Sequence, residues 1–289
     1  MLTPEEWQTA QTAYRDPHWR LLNTGCHPGA WNMAVDEAIL NACRRGQVPP
    51  TLRFYGWQPY AVSLGYFQRG EREIDFAACR QKGLDVVRRL TGGRAVLHSR
   101  ELTYSLVVAE TYPGLPLSIT ASYCYLSQGL LQGLRRLGLK AALTMPTSAY
   151  ARKLAHPDSA ACFDAPSYYE LTVQGKKLIG SAQVRKHGYL LQHGSLLLEA
   201  RPEEIVEVLQ APPQAREGLR QLLQGHALNL HEALGRPVSP QEALAALVQG
   251  FASALQIQLE PQELTPAEIL EAQNLAAQVY SQEAWTKRR

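Results

Sequence analysis

Two residues between Ser159 and Gln183 could carry out covalent chemistry, the thiol of Cys162 and the amine of Lys177. A thiolate is a strong nucleophile, and a nearby lysine can lower the pKa of a thiol or act as a base once it is desolvated. A free cysteine is more commonly a small buried packing residue. The loop-like sequence around Cys162, Ala-Cys-Phe-Asp-Ala-Pro-Ser, favours an accessible thiol. Taken alone, this setting does not decide between nucleophile and packing residue.

The sequence around Lys177 predicts a β-hairpin. Tyr168 to Val173 has the pattern of a strand, Gln174-Gly175 that of a two-residue turn, and Lys176 to Gln183 that of the returning strand. Small residues that are poor strand formers interrupt the returning strand, which suggests that a ligand approaches its backbone closely. We expect a bound acyl chain or a substrate carbonyl beside these residues, Gly180, Ser181 and Ala182.

The hairpin also predicts where the Lys177 side chain points. A two-residue turn pairs Lys177 with Thr172, and strand alternation then places Lys177 on the same face as Ile179 and Ser181. The pairing leaves Cys162 upstream, so the sequence does not show that the thiol and the amine meet.

A second candidate segment reads Arg-Arg-Leu-Thr-Gly-Gly-Arg-Ala-Val-Leu-His from Arg88 to His98. Adjacent glycines let a ligand approach the backbone and offer it N–H groups. An ordinary glycine turn is the commoner explanation, and this motif alone favours it. The glycine patterns of phosphate-binding and dinucleotide-binding loops are both absent from the chain. His98 and His193 have no metal-ligand neighbours in the sequence, so we expect pocket-lining or structural roles for them and no metal site.

Composition excludes several classes of protein. The chain has 289 residues, of which 45% are apolar and 19% charged, as in ordinary globular proteins. A net charge of +3 is too small for a nucleic-acid binder. The N-terminus lacks the pattern of a signal peptide, and no apolar run is long enough to cross a bilayer. The five cysteines are scattered without a Cys-x-x-Cys pair, which favours a reducing cytoplasm.

The helical and strand patterns predict one compact unit over residues 1–289 with a helical part from about residue 200 onward. Asn32 is a candidate N-cap for a helix that begins at Met33. Thr51 to Tyr55 and Ala61 to Tyr66 alternate like two strands, and they predict an antiparallel pair. Two later helices are each expected to open with a capping box, at Ser239 and at Thr265.

Five motifs follow one another between Trp19 and Trp285. They read Asn-Met-Ala-Val-Asp-Glu-Ala, Ser-Leu-Gly-Tyr-Phe-Gln, the arginine and glycine segment, Ala-Cys-Phe-Asp-Ala-Pro-Ser and Lys-Leu-Ile-Gly-Ser-Ala. In this order they resemble the biotin/lipoate protein ligase superfamily, and within it the octanoyltransferases of the LipM type. Each motif is weak alone, and the order makes the resemblance specific. Ser99 departs from the family pattern, in which an aspartate commonly follows the histidine.

The resemblance implies an α/β (α+β) fold, with a mixed, largely antiparallel central sheet flanked by helices and a tunnel for a medium-length acyl chain. It makes Cys162 the acyl-accepting nucleophile and Lys177 the active-site lysine. The residues that it implies for substrate binding are Arg88, Gly92, Gly93, Arg94, Val96, His98, Gly180, Ser181, Ala182 and His193.

The resemblance further implies transfer of octanoyl from octanoyl-acyl carrier protein to a lysine of a lipoyl domain or of glycine-cleavage H protein. We expect a cytoplasmic monomer without a cofactor. A thioester is already activated, so its transfer needs a nucleophilic thiol, whereas joining a free carboxylate to an amine needs ATP. Cys162 and the lack of a ligase-type accessory domain favour transfer. The alternatives are an ATP-dependent lipoate-protein ligase, an amidotransferase from H protein to lipoyl domains, and a non-enzymatic acyl-binding module.

Overall fold

An eight-stranded mixed sheet forms the centre of the computed structural model, which describes residues 16–144 and 170–288. The strands, in chain order, are β1 (His18–His27), β2 (Thr51–Trp57), β3 (Ala61–Leu64), β4 (Asp85–Arg88), β5 (Val96–His98), β6 (Glu101–Ala109), β7 (Ala141–Thr144), β8 (Glu170–Val173), β9 (Lys176–Lys186), β10 (Tyr189–Leu197) and β11 (Gln258–Pro261). The order in the main sheet is β11-β1-β2-β6-β10-β9-β8-β7. Strand β1 runs parallel to β2 and β11, and the other pairings are antiparallel. The predicted mixed, largely antiparallel sheet is confirmed.

The remaining strands form a second, three-stranded sheet in the order β4-β3-β5. The predicted antiparallel pair of Thr51–Tyr55 with Ala61–Tyr66 is wrong, because β2 pairs with β1 and β6 while β3 pairs with β4 and β5. Every residue of β3 and all but one of β2 are buried. The backbone N–H and C=O groups on both edges of each strand therefore need hydrogen-bonding partners, and these come from other parts of the chain.

The helices surround the two sheets. They are α1 (Gly29–Arg44), α2 (Gly70–Glu73), α3 (Phe76–Gln81), α4 (Ile119–Arg136), α5 (Pro213–His226), α6 (Leu230–Leu234), α7 (Pro240–Leu255), α8 (Pro266–Leu275) and α9 (Glu283–Thr286). A 3-10 helix spans Pro202–Val208, and a π-helical turn extends α8 over Ala276–Tyr280. Thr265 makes the predicted capping box, whereas the Glu242 side chain pairs with Arg236 and Ser239 caps its helix alone. No helix among the described residues is long and apolar enough to cross a membrane.

One face of the main sheet is covered by α4 and α7, which cross at very short range. Side chains at Gly129, Gly133 or Gly250 would collide with the opposing helix, because a Cβ on Gly250 would meet the backbone of both other glycines. The close approach lets leucines of α4 and Phe251 of α7 fill a large apolar core against the sheet. This face is packed with apolar side chains.

The opposite face is covered by α1 and α8, and it carries polar groups among its apolar ones. Helix α1 begins at Gly29, with Pro28 in the N-cap position, so the predicted cap at Asn32 is wrong. Asn32 lies inside the helix, and its buried amide donates to the carbonyls of His27 and Gly56. These partners belong to the ends of β1 and β2, so the polar side chain joins the helix to the sheet.

The C-terminal part contributes a strand that was not predicted from the sequence. Gln258–Pro261 is short, polar and ends in proline, yet it pairs in parallel with β1 at the sheet edge. Nearby, the Arg20 guanidinium donates to both carboxylate oxygens of Glu268, at 2.8 and 2.5 Å, and both side chains are fully buried. This ion pair fixes α8 to the first strand.

Candidate active site

Asp36 lies at the centre of a buried polar network on the α1 face of the main sheet. Arg53, Ser105 and His193 occupy one row across β2, β6 and β10, and all three donate to the Asp36 carboxylate, at 2.6, 2.7 and 3.3 Å. The Tyr55 hydroxyl donates as well, at 3.1 Å. Burial raises the pKa of Asp36, but the Arg53 guanidinium and the hydrogen bonds outweigh it and hold the pKa below its ordinary value.

The Asp36 carboxylate also fixes the form of His193. Because an ionised carboxylate only accepts hydrogen bonds, the proton of His193 lies on Nδ1, and Nε2 accepts from the Thr91 hydroxyl at 2.7 Å. Burial lowers the pKa of His193 and outweighs the opposing effect of Asp36, so the ring is neutral at neutral pH. The network therefore presents an uncharged imidazole at this position.

A second histidine is held in the same way. The Ser63 hydroxyl lies 2.6 Å from His98 Nε2, and His98 Nδ1 donates to Glu101 at 2.7 Å. The same Glu101 oxygen accepts from the hydroxyls of Thr103 and Ser195, at 2.6 and 2.7 Å. Glu101 and Asp36 were not predicted as site residues, although the first lies three residues after His98 and the second lies in the motif that begins at Asn32.

Arg89 joins the second histidine to the glycine loop, and it was also missed. Its buried guanidinium donates to the Ser63 hydroxyl at 2.7 Å and to the carbonyls of Gly92 and Arg94 at 3.1 and 3.0 Å. The loop turns at Gly93, whose φ of 90° favours glycine. The signal for Arg89 was the doubled arginine at the end of β4.

Arg88, the other arginine of the pair, supports the neighbouring loop and the C-terminal segment. Its fully buried guanidinium donates to the carbonyls of Gly65 and Gln68, each at 2.8 Å, and of Thr286 at 2.7 Å. The Gly65 backbone in turn packs so closely on Gly93 that a side chain at Gly65 would collide with the Gly93 carbonyl. Arg88 thus contacts protein carbonyls, and it does not lie among the residues that line the cleft described next.

A cleft of about 350 Å³ lies beside both histidines, on the same face of the sheet. Its lining is largely apolar, with the small residues of β9 on one wall. Six of the predicted substrate-binding residues meet here, and Gly93 faces Ala182 at the edge. The residues that line the cleft are Met33, Tyr55, Trp57, Arg89, Val96, His98, Thr103, Gly180, Ser181, Ala182, His193, Gly194 and Ser195. Its apolar walls suit a small apolar ligand or an acyl chain.

The predicted orientation of Lys177 is wrong, because β9 contains a bulge. Leu171 pairs with Ile179 while Thr172 pairs with Lys177, so the strand carries one extra residue, Leu178. Neighbouring residues of β8 point to opposite faces, and cross-strand partners share a face. Lys177 therefore lies on the face opposite to Ile179. This is the face of Gly180 and the cleft, as the pairing of Gly180 with Ser195 shows. The predicted pairing of Lys177 with Thr172 is confirmed.

Cys162 lies outside the described residues, and so does Tyr168 at the start of the predicted hairpin. Among the described cysteines, burial raises the pKa of Cys43 to about 12 and that of Cys79 to about 11. Burial also raises the pKa of Cys124. These three thiols are protonated at neutral pH, as expected of packing residues.

Comparison with known proteins identifies related sequences over almost the whole chain. The model of the lipoyl protein ligase A/B catalytic domain matches residues 28–252. Octanoyltransferase LipM of Kyrpidia tusciae is 52% identical over 272 residues, which are 94% of this chain and 99% of that protein. Octanoyltransferase LipM of Bacillus subtilis is 42% identical over 273 residues, covering 94% and 98% of the two chains.

Solved structures of ligases share the fold. A bipartite lipoate protein ligase of Thermoplasma acidophilum, studied with its E2 lipoyl domain, superposes with a TM-score of 0.77 and 27% identity, over 93% of this chain and 96% of that one. A lipoate-protein ligase A bound with ATP gives a TM-score of 0.74 and 27% identity, over 94% and 98% of the two chains.

Proposed function

The chain belongs to the lipoyl protein ligase A/B catalytic domain family and is an octanoyltransferase, and we propose that it works in two steps through a thioester on Cys162. One observation supports this most. The bulge in β9 places the amine-bearing Lys177 on the face of an apolar cleft with small residues on one wall, in a chain that is 52% identical to an octanoyltransferase.

In the first step, the Cys162 thiolate attacks the carbonyl of an octanoyl thioester on acyl carrier protein. A new sulfur–carbon bond forms, the bond to the carrier sulfur breaks, and the departing thiolate takes a proton from the Lys177 ammonium. The octanoyl chain lies in the cleft, along Val96, Gly180 and Ala182. Neutral His193 suits this apolar occupant because it brings no charge to the wall.

In the second step, an acceptor lysine enters as a neutral amine and attacks the thioester. The carbon–nitrogen bond forms, the bond to the Cys162 sulfur breaks, and Lys177 takes the proton of the amine. The ammonium and thiolate of the resting enzyme are restored, so the cycle needs no cofactor. Gly92, Gly93 and Arg94 shape the rim of the cleft toward the carrier, and Arg88 supports that rim through the loop beneath it.

We assign the acceptor to a lipoyl domain or to glycine-cleavage H protein. The Thermoplasma ligase that shares the fold was studied with a lipoyl domain, which supports an acceptor of this kind. The scattered free cysteines suit a cytoplasmic enzyme. We expect a monomer.

An ATP-dependent ligase is the main competing function, and the ATP-bound ligase of the same fold favours it. The two functions differ in their donors. The full chain is incubated with a lipoyl domain and either octanoyl-acyl carrier protein without ATP or free octanoate with ATP and magnesium, and the octanoylated lysine is measured by mass spectrometry. The proposed function predicts product with the first donor only. Product with the second donor only would contradict it.

Two further alternatives are separated by the same assay. An amidotransferase would prefer octanoylated H protein to octanoyl-acyl carrier protein as donor. A non-enzymatic binding module would give no product with any of these donors.

A further inference from the structure

Glu170 lies beside Lys177 on the cleft face of the main sheet. Its strand, β8, pairs with β9 so that Thr172 stands opposite Lys177, and Glu170 lies two residues before Thr172 on the same face. Glu170 itself pairs with Thr144 of β7, which fixes its backbone from the other side. Two neighbouring strands therefore determine where its carboxylate points.

The carboxylate and the amine form a buried ion pair. Glu170 Oε1 lies 3.2 Å from Lys177 Nζ, and the two side chains are only 6% and 4% exposed. The backbone of Lys177 is held as well, because its carbonyl accepts from the Leu228 amide at 3.1 Å and it forms a parallel bridge with Ala227. The position of the amine is thus set by the bulge, by the segment before α6 and by Glu170.

Burial without a partner would favour the neutral amine, whereas a carboxylate at hydrogen-bond distance favours the ammonium. The charge of the Lys177 amine matters for the reaction because the residue lies near the cleft. Lys177 lies three residues before Gly180 on the cleft side of β9, so their Cα atoms are roughly 10 Å apart at the usual rise of a strand. The lysine side chain can bridge much of that distance.

We propose that Glu170 is a positioning residue that holds the Lys177 amine in place and returns it to its charged form after each acyl transfer. This inference rests on the proposed function, in which Lys177 gives a proton to the carrier thiolate and recovers one from the acceptor amine. Glu170 acts only through Lys177 in both steps. Its carboxylate favours recovery of the proton, and so prepares the enzyme for the next thioester.

The test is the rate of octanoyl adduct formation on the full chain, measured against pH. Octanoyl-acyl carrier protein is mixed with wild type, Glu170→Gln or Glu207→Gln, and the adduct is followed by rapid quench and intact mass. Glu207 forms an exposed ion pair with Lys82 at 2.5 Å, which makes its variant a matched control. We expect the rate with Glu170→Gln to fall at a pH lower by at least about 1 than the wild-type rate does, which makes the reaction roughly tenfold slower at a pH above both transitions. The reason is that the Lys177 amine releases its proton earlier without the Glu170 carboxylate. Glu207→Gln should follow wild type.

The results distinguish the role of Glu170 from the proposed function. A Glu170→Gln profile that coincides with wild type would overturn the role of Glu170 and leave the proposed function standing. Absence of an adduct on wild type would overturn the proposed function and this inference together.

A second measurement needs no variant and applies even if Glu170→Gln does not fold. Competitive acetylation of wild type across pH, read by peptide mass spectrometry, reports the pH at which each amine becomes reactive. The inference predicts that Lys177 becomes reactive at a higher pH than its neighbour Lys176. Reactivity of Lys177 at a lower pH, as expected for a buried amine that no carboxylate stabilises, would contradict it.

Discussion

Replacement of Asp36 by asparagine should destabilise the protein strongly, because four donors converge on its carboxylate. The substitution preserves shape but removes the charge that balances the buried Arg53 guanidinium. It also turns an NH₂ group toward donors, since one carboxylate oxygen accepts from Arg53 and Ser105 and the other from Tyr55 and His193. One orientation of the amide leaves the Arg53 guanidinium facing another donor, and the other turns the NH₂ group toward Tyr55 and His193.

The expected magnitude follows from the burial of the pair. Breaking a buried ion pair by removing one partner costs about 3–5 kcal/mol, out of a typical total stability of about 5–15 kcal/mol. Urea unfolding followed by circular dichroism near neutral pH measures the loss. The matched control is Glu207→Gln, which breaks an exposed pair and should cost no more than about 1 kcal/mol.

The dependence on pH provides an independent check of the same reasoning. The pKa of Asp36 is below its ordinary value of 3.8 in the folded chain, so its stabilising contribution is complete above that pH and is lost as the pH falls further. The free-energy difference between wild type and Asp36→Asn should therefore shrink below about pH 4. A loss under about 1 kcal/mol at neutral pH, or a difference that persists unchanged into acid, would refute the account of this network.

Two further predictions concern packing and the C-terminal segment. Gly250→Ala should destabilise by about 1–3 kcal/mol because its Cβ would meet the Gly133 backbone, whereas Gly218→Ala, on a helix with open space around it, should stabilise by about 0.5–1 kcal/mol. Thermal melts of both variants check this, and equal shifts would contradict the close helix crossing. Arg88→Met should leave buried carbonyls unpaired and lower the free energy of unfolding by about 2–4 kcal/mol. It should also speed carboxypeptidase digestion, and Arg236→Met is the exposed control. Digestion at the wild-type rate would show that Arg88 does not hold the C-terminal segment.

Local signals in the sequence predicted local structure well. The turn at Gln174-Gly175 was predicted from the residue types. In the structure both residues adopt positive φ, as a two-residue hairpin requires. Ser239 and Thr265 were also predicted as N-caps. In the structure each hydroxyl accepts a hydrogen bond from the backbone N–H three residues later. These features depend on neighbours in the chain, so the sequence contains the information needed.

Two of the errors involve partners that are distant in sequence. Strand β2 was paired with its neighbour although its partners are β1 and β6, and Asn32 was taken as a cap although its amide bonds the ends of two strands. The bulge at Leu178 reversed the face predicted for Lys177, since one extra residue moves a side chain across the sheet.

The candidate site shows the same division. Val96, His98, the small residues of β9 and His193 were predicted and meet in one cleft. Asp36, Arg89 and Glu101 were not predicted, because their importance comes from the groups that surround them in the folded chain.

The central claim is an octanoyl thioester on Cys162, and intact mass spectrometry tests it most directly. Wild type and Cys162→Ser are incubated with octanoyl-acyl carrier protein in the absence of ATP and of any acceptor. The account predicts one octanoyl adduct on wild type, removed by hydroxylamine, and no such labile adduct on the variant. A wild-type protein without an adduct, which forms octanoyl adenylate from ATP and free octanoate instead, would contradict the mechanism and assign the chain to the ligases.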